Sequence, residues 1–135
     1  MSGTFEDLHA WRLAMDLAIE VYEHTAGWPK DERFGLTSQI RRAATSIPSN
    51  IAEGKGRASD REFIRFLNYA RGSLYEVQTH IKVAHRLDYL ATNSAQVLEK
   101  HAAEVGKVLN GLIHAVGPFR IPPSEHDEAD GKARA

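Results

Sequence analysis

Carboxylates and histidines at helical spacing are the first residues to weigh for chemistry. Glu6 and His9 stand three apart, while Glu20 with His24 and Glu76 with His80 stand four apart. Either spacing places two ligands on one face of a helix. A two-metal site inside a helical bundle needs two Glu-x-x-His pairs on different helices and two further glutamates, all pointing inward. Glu6–His9 is the one such pair, and it falls at a helix start, so the ligand count fails. The two i,i+4 pairs read as solvated surface pairs. With no cysteine in the chain, thiol chemistry and disulfides are excluded. Lys55, in Glu53-Gly54-Lys55-Gly56-Arg57, lacks the G-x-x-x-x-G-K-[ST] spacing and the preceding strand of a phosphate loop. No hydroxyl sits in a nucleophile elbow. The expectation is therefore a protein that is not an enzyme, with no catalytic residue, no metal and no cofactor.

Binding chemistry has more support. The net charge is −1, yet residues 1–32 carry two basic and seven acidic side chains, and residues 33–71 carry eight basic and three acidic ones. Such asymmetry bears on association and steering, not on fold. Arg61, Arg65, Arg71, Lys82 and Arg86 fall within one outward arc of a predicted helix that also holds Tyr75. Lys and Arg neutralise phosphates, and an exposed aromatic stacks on an unpaired base. Lys55, Arg57 and Arg61 are the candidate nucleic-acid-binding residues.

The elements that position these groups are helices. Hydrophobic residues make up 42% of the chain and charged residues 26%, as in a soluble globular domain, and 135 residues fit one domain. No run approaches the ~18 apolar residues of a membrane span, so a cytoplasmic location is expected. Leu8, Trp11, Met15, Ala18, Tyr22 and Thr25 predict a first helix over about 6–25, ended by Gly27-Trp28-Pro29. Leu36, Ile40, Ala43, Ile47 and Ile51 predict a second over about 36–53. Pro48 lies inside that stripe, where a proline costs about 3 kcal/mol; a kinked but continuous helix is expected, with Ser46 or Asn50 helping to satisfy freed backbone groups. Gly54-Lys55-Gly56 should stop it in a left-handed cap. Ser59-Asp60-Arg61-Glu62 reads as a capping box for a third helix with the seam Phe63, Leu67, Ala70, Leu74, Val77, Ile81, Ala84. Asn93 or Ser94 should cap a fourth, with the seam Leu98, Ala102, Val105, Leu109, Leu112, Val116. Short loops make neighbours antiparallel. The fold expected is all-α, an antiparallel up-down-up-down four-helix bundle over 1–117, with a disordered tail over 118–135.

Two features point to self-association. Gln39, Arg42, Ser46, Asn50 and Glu53 form a polar stripe about a quarter turn from the apolar one, and Glu53 is expected to pair with Arg42 or with a partner's arginine. Gly72 sits in mid-helix, where it costs about 1 kcal/mol against alanine, and points away from the seam beside Arg65. Gln39, Arg42, Ser46, Asn50, Glu53, Arg65 and Gly72 are the candidate subunit-interface residues.

The chain resembles the bacterial 23S rRNA intervening-sequence protein family. The resemblance rests on Phe5-Glu6-Asp7-Leu8 with Trp11, on Trp28-Pro29, Glu32 and Phe34-Gly35-Leu36, and on Gln39-Ile40-Arg41-Arg42-Ala43-Ala44. It continues through Ser46-Ile47-Pro48-Ser49-Asn50-Ile51-Ala52-Glu53-Gly54, Glu62-Phe63, Ala70-Arg71-Gly72-Ser73-Leu74-Tyr75-Glu76 and Tyr89-Leu90, covering roughly residues 5–116. Members are similar to a retroelement accessory protein that forms a pentameric barrel and works with a reverse transcriptase. The resemblance implies a small helical homo-oligomer, a pentamer, with a nucleic-acid connection. The expected role is a non-enzymatic scaffold for RNA, single-stranded DNA or a nucleic-acid enzyme such as a reverse transcriptase. The alternative is an oligomer that binds only protein.

Overall fold

In the computed structural model, which describes residues 3–117, four helices follow one another: α1 (His9–Thr25), α2 (Leu36–Lys55), α3 (Asp60–Arg86) and α4 (Thr92–Val116). They form an antiparallel up-down-up-down bundle in which α2 packs on α1 and α3, and α4 closes the ring against α1 and α3. The tail expected over 118–135 lies outside the described residues. Among the described residues no helix is long and apolar enough to cross a membrane, and no group of three or more His, Asp or Glu side chains is placed to hold a metal ion.

The seams of α2 and α3 are buried at every position that their periodicity predicts. In α4 the seam is buried from Leu98 to Leu109, while Leu112 and Val116 pack half-buried at its end. The α1 seam differs from the expected one. Its buried residues are Ala10, Ala14, Leu17, Ala18, Val21 and Thr25, whereas Trp11 and Met15 are half-buried and Tyr22 is 44% exposed. Small alanines let α1 approach its neighbours closely, and the bulky stripe is rotated out of the core. The entry to α1 is also revised. Thr4 and Asp7 form a capping box around a short 3-10 turn, Phe5–Asp7, and α1 itself begins at His9.

Continuity of α2 through Pro48 is as expected, and its end is not. Gly54 is buried inside the helix, and no described glycine has a positive φ. The left-handed cap is therefore absent; Gly56 follows the last turn in right-handed geometry. A Cβ on Gly54 would stand 2.7 Å from Phe66 Cβ, 3.0 Å from Phe63 Cδ1 and 3.2 Å from the Phe63 carbonyl oxygen. The glycine is there so that α2 and α3 can touch. Around Pro48, Ser49 Oγ donates to the Thr45 carbonyl at 2.8 Å and Asn50 Nδ2 donates to the Ser46 carbonyl at 2.9 Å. Proline frees the carbonyl of Ala44, and no described side chain donates to that oxygen.

Two caps also depart from expectation. Ser59 accepts the Glu62 amide at 3.2 Å, but Glu62 turns to Arg65 at 3.0 Å instead of reaching back. Helix α4 starts one residue before Asn93, from Ala91, with no side-chain cap. The turn between α3 and α4 passes through Asp88 at φ 62°, a left-handed conformation that Asp tolerates better than most residues.

Candidate nucleic-acid interface

The α2–α3 turn brings the three predicted basic residues to one end of the bundle. Lys55 closes α2, Arg57 lies in the turn and Arg61 opens α3. Arg61 is exposed, and no carboxylate of the described residues pairs with it. Arg57 donates to Glu53 Oε1 at 2.9 Å; within the chain Glu53 therefore pairs with Arg57, not with Arg42, the intrachain partner that the sequence predicts. The Arg57 guanidinium carbon also lies 4.7 Å from the Phe66 ring centre. Arg65 lies 5.4 Å from Phe66 and 5.9 Å from Tyr69, with Glu62 beside it. Lys55 Nζ stands 5.9 Å from the Phe63 ring.

Gly54 explains why this cluster exists. Its missing side chain lets Phe63 and Phe66 sit against α2, and the buried Phe66 ring has two guanidinium groups within 5.4 Å of its centre. Phe66 and Tyr69 meet edge to face, with centroids 5.5 Å apart. Tyr69 is 51% exposed and Tyr75 is 56% exposed. The sequence points to Tyr75, which no aromatic or cation–π contact of the described residues joins to this cluster, and not to Phe66 and Tyr69, which form it. Their signal was the aromatic spacing 63, 66, 69, whose last two members leave the seam beside Arg65.

Other basic residues do not join the cluster. Arg71 donates to Asn110 Oδ1 at 3.1 Å and to Asn68 Oδ1 at 2.7 Å. Lys82 pairs with Glu99 of α4 at 3.2 Å. Arg33, Arg41 and Arg42 sit at the opposite end, with Arg41 stacked 4.5 Å from the Tyr22 ring and bonded to Thr25 Oγ1 at 2.8 Å. The positive block of residues 33–71 is thus divided between two ends of the bundle. Near the α2–α3 turn, Lys55, Arg57, Arg61 and Arg65 face Glu53, Asp60 and Glu62, a local net of +1.

The candidate interface residues lie along α2 and α3. Gln39 and Arg42 are exposed. Ser46 Oγ meets Ser73 Oγ of α3 at 2.7 Å, and Asn50 Nδ2 donates to Ser46 Oγ at 3.0 Å. The middle of the polar stripe therefore has partners within its own chain. Gly72 is exposed, and a Cβ added there would meet nothing within 4 Å.

The far end of the bundle is a clamp. Trp28 packs against Tyr89 with ring centres 5.7 Å apart. Tyr89 donates its hydroxyl proton to Glu32 Oε2 at 2.9 Å, and Leu36 N–H donates to Glu32 Oε1 at 3.3 Å. The hydrogen bond to Glu32 raises the Tyr89 pKa above its ordinary value, with burial and the nearby Asp31 charge adding to it. A Cβ on Gly35 would fall 2.6 Å from Glu32 Oε1, so the glycine leaves room for that carboxylate.

Among curated proteins no relative matches the chain. A similar fold occurs in the crystal structure of a protein of unknown function from the S23 ribosomal protein family of Bacteroides thetaiotaomicron. It superposes with a TM-score of 0.70 at 23% identity, over 77% of this chain and 97% of that one. The profile of the 23S rRNA-intervening sequence protein family matches residues 6–111. That span takes in the clamp, the Pro48 helix and the arginine–aromatic end together, and the chain belongs to the 23S rRNA-intervening sequence protein family.

Proposed function

We propose that this protein is a non-enzymatic helical scaffold that holds single-stranded nucleic acid, RNA above all, at the arginine–aromatic end of its bundle. The observation that carries this reading is the gathering of Arg57 and Arg65 on the Phe66 ring, with Tyr69 exposed beside it. Guanidinium groups neutralise phosphates and stack on bases, and an exposed tyrosine ring accepts an unpaired base with little regard to sequence. Glu53 and Glu62 hold the two arginines in place in the free protein, and phosphates compete with them for the same donors.

Assembly multiplies a weak site. Copies joined through the outer faces of α2 and α3, with Gly72 allowing close backbone approach, would set several such ends side by side as a ring of five. Linked sites gain affinity through effective concentration without any new contact. A nucleic-acid enzyme such as a reverse transcriptase is the natural protein partner for such a ring. The test is fluorescence polarisation of a labelled single-stranded RNA at two salt concentrations, with light scattering to count subunits. Binding that weakens steeply with salt, by an oligomer, is expected.

The even charge balance near the turn favours one other reading. A local net of +1 also suits an oligomer that binds only protein, and a lack of RNA binding at low salt would put that reading first.

A further inference from the structure

Helix α1 carries an apolar stripe that the bundle covers only in part. Trp11, Met15, Ile19 and Tyr22 face Pro48 and Ala52 of α2 across a groove of about 310 Å³. Ile19 is 54% exposed and Tyr22 is 44% exposed. At Tyr22 the groove runs into a second hollow of about 340 Å³, walled by Arg33, Arg41 and Arg42. No carboxylate of the described residues pairs with any of these three arginines. The surface is therefore apolar and aromatic toward the start of α1 and positive toward its end.

We propose that the segment Phe119–Asp130 of the same chain docks in this groove, its apolar part between Trp11 and Tyr22 and its acidic part on the arginines. Residues 118–135 begin with Pro118, Phe119, Arg120, Ile121, Pro122 and Pro123, then carry Glu125, Asp127, Glu128 and Asp130. Apolar precedes acidic in the segment, and apolar precedes basic along the groove. The direction also fits. The last turn of α4 lies beside the start of α1, where Leu112 and Ala115 share a hollow with Leu8 and Ala10. A chain leaving Gly117 thus starts at the apolar mouth.

Lengths agree with this order. Four extended residues from Gly117 to Ile121 cover about 13 Å, most of it spent in passing over a helix about 10–12 Å wide. Ile121 then lies near the level of Trp11. Asp127 lies six residues on, about 19 Å further in polyproline geometry. The helical rise from Trp11 to Tyr22 is about 16 Å, so Asp127 and Glu128 come beside Arg41 and Arg42. Ile121-Pro122-Pro123 favours that extended form before it binds, and grooves lined by aromatic residues accept proline-rich segments for this reason. The two prolines lower the ordering cost of docking. The docked segment would shield the half-exposed stripe of α1. The family match ends at residue 111, so the segment is a feature of this chain beyond the shared domain.

The absence of cysteine allows a clean test on the full chain. Ser124→Cys carries a nitroxide label, and paramagnetic broadening is read on the side-chain methyl signals of the bundle. Docking predicts that the Ile19 and Met15 signals lose more than half their intensity while those of Val83 and Val97, on α3 and α4, keep theirs. The pattern should persist when labelled chains are diluted into an excess of unlabelled, NMR-silent protein. Adding Phe119→Ser and Ile121→Ser should restore the Ile19 and Met15 signals, and Arg42→Glu should restore them in part. Weak broadening spread evenly over the bundle would overturn the proposal. Broadening that appears only between chains would also overturn it, because the groove would then take the tail of another copy.

Discussion

The two ends of this bundle use similar residues for opposite purposes. At the end formed by the α1–α2 connection and the α3–α4 turn, an aromatic pair and a carboxylate are locked into the fold. Trp28 lies against Tyr89, and Glu32 accepts from both Tyr89 and the first turn of α2. At the α2–α3 turn, Phe63 and Phe66 are buried as Trp28 is, but Tyr69 and the arginines over Phe66 stay at the surface, and the carboxylates that neutralise those arginines come from the same or the next helical turn. One glycine makes each arrangement possible, Gly35 beside Glu32 and Gly54 beneath Phe66. Contacts between distant parts of the chain hold a fold together. Local, exchangeable contacts among exposed arginines and a tyrosine leave groups free for a ligand.

The comparison breaks most visibly at the clamp. Trp28 is 8% exposed and belongs to the core. Trp28→Ala should cost about 3–5 kcal/mol, read by chemical denaturation, and should lower the melting temperature without a specific effect on ligand binding. At the other end Gly54→Ala should cost about 1–3 kcal/mol by overpacking. Alanine is the better helix former by about 1 kcal/mol, so a gain in stability would refute the close approach. The clash should win because the Phe66 Cβ is fixed to its backbone and cannot rotate away. The same substitution should move Phe66 and weaken RNA binding, which Trp28→Ala leaves unchanged in the folded fraction.

Midway between the ends, Asn50→Leu removes two hydrogen bonds to Ser46. A loss of about 1–2 kcal/mol is expected, since Ser46 keeps its contact with Ser73. The smallest effect belongs to Tyr89→Phe. Because the Tyr89 pKa is raised in the fold, its contribution is fully present below the ordinary tyrosine pKa of about 10 and fades as pH rises through the folded value. Thermal unfolding of the parent and of Tyr89→Phe should therefore differ at neutral pH and converge in strong alkali.

Much of this architecture was legible in the sequence. Seven seam residues of α3 and five of α2 follow the helical period and are buried, because large aliphatic side chains there leave one possible inward face. Helix α1 misled for a physical reason. It carries two apolar stripes, and Trp11, Met15 and Tyr22 dominate any count of hydrophobicity. The stripe that meets the core is built on Ala10, Ala14 and Ala18, whose value lies in allowing close approach, not in apolar area. Gly54 misled in the same way, since a glycine near a helix end suggests a cap and its neighbour on α3 is invisible in one dimension. For the candidate site, the basic residues of the turn were legible, but the aromatic cluster was not. Phe66 continues the pattern of a core helix, and only the position of α2 shows that its ring faces two arginines. The charge count of residues 33–71 also exaggerated the site, because contiguity in sequence spreads over both ends of a bundle.

The central claim is that the α2–α3 end, and not the other basic end, takes single-stranded RNA. The most direct measurement is a polarisation titration of one labelled RNA against three proteins across a range of salt. These are the parent, a variant with Lys55, Arg57 and Arg61 changed to Glu, and a control with Lys30 and Arg33, exposed at the opposite end, changed to Glu. The parent should bind with a steep loss of affinity as salt rises. The triple variant should lose about tenfold or more at low salt, with a salt slope shallower by about three, while circular dichroism and light scattering stay unchanged. The control should bind like the parent. Equal binding by the triple variant, or a larger loss in the control, would contradict the account.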